Sequence, residues 1–355
     1  MLLTLGLALS IALAGSATSA LLLRTLVQRR NAARIPIPDG GVDEAGWVTL
    51  GGLEQWVTVR GHDRAAPVLL FVHGGPGSTM SLMSYRMLAP WERRFTVVNW
   101  DQRGAGRTFG RHGQSGSGAL TLEQMTADGL ELAEHLLKRL GKRQIILLGH
   151  SWGSILGVEM IRRRPDLFCA YVGAGQVIDM ARGEAVSYAG ALARLRAKGD
   201  EAGAATLERV GPPPYAGQEQ LYTQRRLLIS TMPQAERRVF KDRPLTLLLS
   251  PSGELRDITD FFNGFAYSLG QLWGPLMAWR IDREATDFAV PVFFFIGDQD
   301  LQSPAELVTA YAPTVRAPTS ALVTFPGAAH FAFATHGEAF LHELVTRVRP
   351  LGEPV

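Results

Sequence analysis

The sequence predicts an α/β architecture: a mostly parallel central sheet flanked by helices, with an inserted helical cap and an N-terminal hydrophobic helix. Three observations carry this. Short apolar runs ending at turns recur along a chain of 355 residues, and runs of that length without alternation suit strands buried on both faces. Helical patterns lie between them, most clearly Leu122–Leu140, where Leu122, Met125, Leu130, Ala133, Leu137 and Leu140 recur at helical spacing. The strand–helix alternation then stops from 179 to 285, a stretch rich in Ala, Leu, Arg and Glu.

The N-terminal helix is expected at residues 1–23, where no side chain is charged. That length matches the roughly 20 apolar residues that cross a bilayer. Arg24, Arg29, Arg30 and Arg34 follow, and no acidic residue precedes Asp39. Arginines on the C-terminal side fit a retained anchor with a cytoplasmic body. A cleaved signal peptide would carry its basic residues before the apolar core; small residues around Ala17, Ser19 and Ala20 keep export after cleavage as the alternative. These four arginines account for the net charge of +3 and leave the body near neutral, so a basic face for nucleic acid is not expected. Residues 24–46, with Pro36, Pro38 and Asp39-Gly40-Gly41, read as a basic linker.

The core is expected from 47–178 and 286–350. β-rich runs at 47–50 and 55–60 open it, followed by strands at Val68–Val72, 96–100, 145–148, 170–172, 290–296 and 321–325. The cap, 179–285, contains Gly211-Pro212-Pro213-Pro214 and the aromatics Phe261, Phe262, Phe265, Tyr267, Trp273 and Trp279. These read either as the cap's own core or, for some of them, as the lining of a pocket beneath it. A single cysteine, Cys169, excludes an internal disulfide and gives no metal cluster; no cofactor is expected.

Gly149-His150-Ser151-Trp152-Gly153 falls between the strand at 145–148 and a helical run at 154–163. This is G-x-S-x-G in its meaningful context, a strand, a sharp turn and a helix that present the serine above the sheet. A serine hydroxyl needs a base, itself oriented by a third group. The partners are expected downstream, acid before histidine. Gly297-Asp298-Gln299-Asp300 follows one strand, and His330 follows another after Pro326-Gly327-Ala328-Ala329. His330 is the candidate base. Asp300 and Asp298 compete for the acid; Asp300 is favoured because three residues past Gly297 give the loop room to turn, with Asp298 then bonding backbone amides. Donors for an oxyanion are expected from the amide of Trp152 and from Gly75 in His73-Gly74-Gly75-Pro76-Gly77, with His73 bracing that loop.

These residues, with Asp101-Gln102-Arg103-Gly104-Ala105-Gly106-Arg107-Thr108, resemble the proline iminopeptidase group of α/β hydrolases. The resemblance implies the α/β-hydrolase fold, a Ser151–Asp300–His330 triad, oxyanion donors at Gly75 and Trp152, no metal, and release of N-terminal residues, preferably proline, from peptides. Family members hold the substrate amine with cap glutamates, often within Trp-x-x-Trp-Glu, which this cap lacks. Glu184 is the candidate here, against the reading of a solvated helix-face carboxylate. The alternatives are an esterase, lactonase or amidase on small acyl substrates, and a non-catalytic membrane-tethered binding protein.

Overall fold

The structure is a computed structural model that describes residues 2–281 and 285–353, with side chains from residue 18 onward. Eight strands form one sheet in the order β1-β2-β4-β3-β5-β6-β7-β8. They are β1 (Val42–Leu50), β2 (Leu53–Gly61), β3 (Val68–Val72), β4 (Thr96–Asp101), β5 (Ile145–His150), β6 (Phe168–Ala174), β7 (Val292–Gly297) and β8 (Ser320–Phe325). β1 and β2 form an antiparallel hairpin and β2 runs antiparallel to β4; the remaining pairs are parallel. β3, β4, β5 and β7 are buried at every residue, which explains why they read as unbroken apolar runs. Val68, Leu70 and Val72 pack on one side with Trp100, Ile155 and Tyr171. Leu69 and Phe71 pack on the other with Trp91, Phe95, Phe333 and Phe340.

The helices are α1 (Leu2–Ala33), α2 (Ser84–Met87), α3 (Gly106–Gly116), α4 (Leu122–Leu140) and α5 (Trp152–Arg163). The cap comprises α6 (Met180–Ala197), α7 (Glu201–Val210), α8 (Gln218–Thr231), α9 (Gln234–Lys241), α10 (Arg243–Leu248) and α11 (Arg256–Leu276). α12 (Ala305–Tyr311), α13 (Ala332–Thr335) and α14 (Gly337–Glu343) complete the core. α4 is delimited as its sequence dictates: the Thr121 hydroxyl accepts the Gln124 N–H, and Gly141 ends the helix in the left-handed conformation. The cap opens where the Asp179 carboxylate accepts the Arg182 N–H.

Three expected boundaries are corrected. The basic linker at 24–46 shrinks to residues 34–41. Nothing breaks α1 before Pro36, and its last turns dock on the cap. Arg24 donates to the carbonyls of Leu248 (3.1 Å) and Gly253 (2.5 Å), Gln28 to that of Ser250 (2.7 Å) and Asn31 to that of Leu249 (2.9 Å). β1 begins earlier than expected because Val42 is buried and pairs with Gly61. At the other end the last cap helix stops at Leu276 rather than 285, and Trp279 and Ile281 beyond it pack, like Leu272 and Leu276, into the main core. Among the described residues no helix is long and apolar enough to cross a membrane. The side chains of residues 1–17, on which most of the expected anchor rests, lie outside the described residues.

Candidate active site

β5 delivers Ser151 to the C-terminal edge of the sheet, where crossover topology opens a crevice for ligands. Ser151 has φ 55°, ψ −123°, and among the described residues it is the one non-glycine with positive φ, a conformation that costs about 1–3 kcal/mol. The flanking glycines make this turn possible. A Cβ on Gly149 would lie 2.4 Å from the Gly153 carbonyl oxygen, and one on Gly153 only 2.1 Å from that of Val72. The Ser151 N–H donates to the Ala174 carbonyl (3.0 Å), and the Ser154 hydroxyl donates to the Ser151 carbonyl (2.6 Å). Ser151 is the N-cap of α5, whose N-terminus favours negative charge.

The loops after β7 and β8 bring the two downstream candidates together. His330 Nδ1 lies 2.9 Å from Asp300 Oδ2, with both side chains buried. The other oxygen, Oδ1, accepts the amides of Gln302 (2.8 Å) and Ser303 (3.0 Å), so Asp300 is fixed before it meets the imidazole. Asp298 is exposed and accepts the Gly327 amide at 2.8 Å, tying the β7 loop to the β8 loop.

The glycine loop after β3 lies against the serine. A Cβ on Gly74 would sit 3.0 Å from Ser151 Cβ, and Gly75 follows with φ 121°. Among the described residues the Gly75 N–H donates to no backbone carbonyl, and Trp152 opens α5, where amides lack helical acceptors. Gln102 locks the two donor segments together: its side chain donates to the His73 carbonyl (3.1 Å) and accepts the Trp152 indole N–H (3.0 Å). His73 is a bracing histidine. Nδ1 lies 2.9 Å from the Gly74 carbonyl and Nε2 accepts the Gln102 amide at 3.4 Å, a set that a single neutral tautomer satisfies. Burial lowers its pKa to about 4. Thr108 accepts the Trp56 amide (2.9 Å) and donates to the Asp101 carbonyl (2.6 Å), so a hydroxyl is all that this position requires.

Two residues that the sequence reading missed hold the His330 loop from behind. His150 Nε2 lies 3.0 Å from the His330 carbonyl, and the two rings pack at a tilt of 49° with centroids 4.7 Å apart. Burial, aided by the His330 charge, pushes the His150 pKa well below the ordinary range, so it is a neutral donor. Glu236, on α9 and fully buried, reaches down from the cap. Its carboxylate accepts the amides of Ala329 (3.1 Å) and Phe331 (3.0 Å), on either side of His330. His150 lay inside the recognised pentapeptide; nothing in the sequence separates Glu236 from any other charge on a cap helix.

Ser151, Trp152, Gly75 and His330 border one cavity of about 390 Å³ beneath the cap. Phe265 and Trp273 line it, whereas Phe261 is buried in the core and Phe262 points outward. Glu184 also lines it. The reading as a solvated helix-face carboxylate is corrected: α6 turns Glu184 inward, where it is 3% exposed. One oxygen pairs with Arg225, and the other, Oε2, is buried without a partner. Arg225 in turn lies over the Trp273 ring, 5.4 Å from its centroid.

The alpha/beta hydrolase fold family matches residues 67–337. The chain belongs to this family. It is an enzyme whose relatives include proline iminopeptidase-like hydrolases. A probable aminopeptidase YbaC of Bacillus subtilis (strain 168) is 28% identical over 308 residues, covering 85% of this chain and 95% of the relative. Among solved structures, VinJ superposes with a TM-score of 0.60 at 24% identity over 87% of this chain and 99% of that one. A proline iminopeptidase-related protein from Thermus thermophilus gives 0.59 at 19% identity, with the same coverage. The two structures share the fold; the match to the Bacillus relative runs over most of both chains.

Proposed function

We propose that this hydrolase is a serine aminopeptidase that releases N-terminal proline or similar residues from short peptides through an acyl-enzyme. The observation that carries the reading is the meeting of Ser151, His330 and Glu184 at one cavity, with His330 paired to Asp300 and one Glu184 oxygen left without a partner. Ser151 attacks the scissile carbonyl while His330 accepts its proton. Asp300 fixes the Nδ1–H tautomer and stabilises the imidazolium. The amides of Gly75 and Trp152 receive the oxyanion. His330 then protonates the leaving amine, and water repeats the sequence to free the acid. Glu184 Oε2 has the charge and burial to hold a substrate ammonium, which explains why a carboxylate oxygen is left unpaired inside a protein.

A second reading has support of its own. Arg225 already neutralises much of the Glu184 charge, which favours an esterase, lactonase or amidase on small acyl groups. Turnover of prolyl 4-nitroanilide, its N-acetylated form and 4-nitrophenyl acetate separates the two, with Ser151→Ala as control. The peptidase reading expects the free amine to be preferred over the blocked one by about tenfold or more, a preference that Glu184→Gln lowers. Cleavage of the ester alone overturns it. Attachment to a membrane through residues 1–23, with the catalytic body cytoplasmic, is part of the same proposal; export after cleavage is its alternative. Partition of the full chain between membrane and soluble fractions, with protease accessibility of the body, tests both.

A further inference from the structure

Among the described residues two arginines at the cavity, Arg226 and Arg243, have no ion pair; Arg226 is exposed, whereas Arg243 is half-buried. Arg243, the first residue of α10, lines the pocket with Met80, Phe240, His330 and Phe331. Its Nε is buried and unpartnered, and among the described residues its guanidinium meets no carboxylate. Its neighbours are aromatic: the guanidinium carbon lies 5.1 Å from the Phe240 centroid, 5.6 Å from that of Phe261 and 6.0 Å from that of Phe331. Arg225, on the same cavity, is by contrast held by Glu184 and Gln224. Burial lowers the Arg243 pKa to about 10 with no acidic group offsetting it, which leaves a full positive charge at neutral pH. A charge so placed is unfavourable unless a partner arrives, and three ring faces compensate it only in part.

The position of Arg243 says which end of the substrate that partner belongs to. Phe331 adjoins His330 in sequence, and their rings lie 5.5 Å apart; the Arg243 charge is also felt by His150, whose ring packs against that of His330. His330 is the group that protonates the leaving amine, so Arg243 stands on the leaving-group side. The acidic groups packed against this loop are already engaged: Glu236 by the Ala329 and Phe331 amides, Asp300 by His330 and the Gln302 and Ser303 amides, and Asp298 by the Gly327 amide. In a dipeptide the free α-carboxylate is two bonds from the leaving nitrogen, and so stays within a few bond lengths of His330.

We propose that Arg243 receives a carboxylate on the leaving group, so that the preferred substrates are dipeptides, or other acyl compounds whose leaving amine or alcohol carries an anionic carboxylate. The planar fork of the guanidinium suits a carboxylate in a way a lysine would not. This rests on the acyl-transfer roles given above to Ser151 and His330.

Two isosteric substrate pairs test it: prolyl-alanine against prolyl-alaninamide, and 3-acetoxybenzoate against 3-acetoxybenzamide. In each, kcat/KM for the charged member is divided by that for the neutral one, so that any general loss of activity or folding cancels. The intact enzyme is expected to favour the charged member by about tenfold or more, Arg243→Gln to bring the ratio to about one, and Arg243→Lys to restore part of it. A ratio near one in the intact enzyme, or one that Arg243→Gln leaves unmoved, overturns the proposal. If only the ester pair is cleaved and its ratio collapses in Arg243→Gln, the anion site stands and the peptidase reading falls.

Discussion

Glu236→Ala should separate the positioning of the histidine from the chemistry it performs. Glu236 is fully buried, and its carboxylate accepts the amides of Ala329 and Phe331 at 3.1 and 3.0 Å. Alanine orphans both donors, at about 1–3 kcal/mol each, or about 2–6 kcal/mol together. The loop can relieve that strain by opening to water, which carries His330 away from Ser151. At about 1.4 kcal/mol per tenfold, even the lower figure lowers kcat by roughly 30-fold, with KM much less affected because Glu236 does not line the cavity. Glutamine keeps one oxygen that both amides can share, and burial already holds the Glu236 carboxyl above the ordinary carboxylate range, so Glu236→Gln should recover most of the rate. Steady-state kinetics on an activated ester, with hydrogen exchange at the Phe331 amide, reads both effects. A Glu236→Ala enzyme with undiminished kcat and unchanged protection of Phe331 would refute the brace.

Other consequences follow from buried charge and strain. Asp128→Ala strands Arg103, whose guanidinium is buried and bonded to that carboxylate at 2.8 and 3.1 Å; chemical denaturation should show a loss of about 3–5 kcal/mol. Ser151→Gly relieves the positive φ and should raise stability by about 1 kcal/mol or more while abolishing turnover, whereas Ser151→Ala loses turnover without the gain. His73 is neutral in the fold, with its pKa lowered from 6.5 to about 4 by burial. The unfolded chain therefore binds that proton first as pH falls. Stability should drop by about 1.4 kcal/mol per pH unit between 6.5 and about 4 from His73 alone. His150 steepens the same slope, and His73→Asn should flatten it; an unchanged slope in that variant contradicts the assignment.

The centre of the sheet was legible because β3, β4, β5 and β7 are buried on both faces and read as unbroken apolar runs. Val68–Val72 and Leu122–Leu140 match the sequence reading to the residue. The nucleophile turn was legible for a steric reason, since Gly149 and Gly153 have no room for a Cβ. What stayed hidden depended on contacts between distant segments. Arg24, Gln28 and Asn31 fall in the stretch expected to be a basic linker, yet they bond carbonyls more than 200 residues away. Glu184, Glu236 and Arg243 sit in cap helices whose charge pattern resembles that of any solvated helix; only the way the cap folds over the sheet turns them inward.

The most direct test of the triad is the rate at which a fluorophosphonate labels Ser151, read by peptide mapping. The triad predicts a single adduct on Ser151, lost in His330→Ala and slowed by about 10⁴ in Asp300→Asn, with Asp298→Asn labelled at the rate of the unmodified enzyme. An adduct elsewhere, or equal losses in the two aspartate variants, would contradict it.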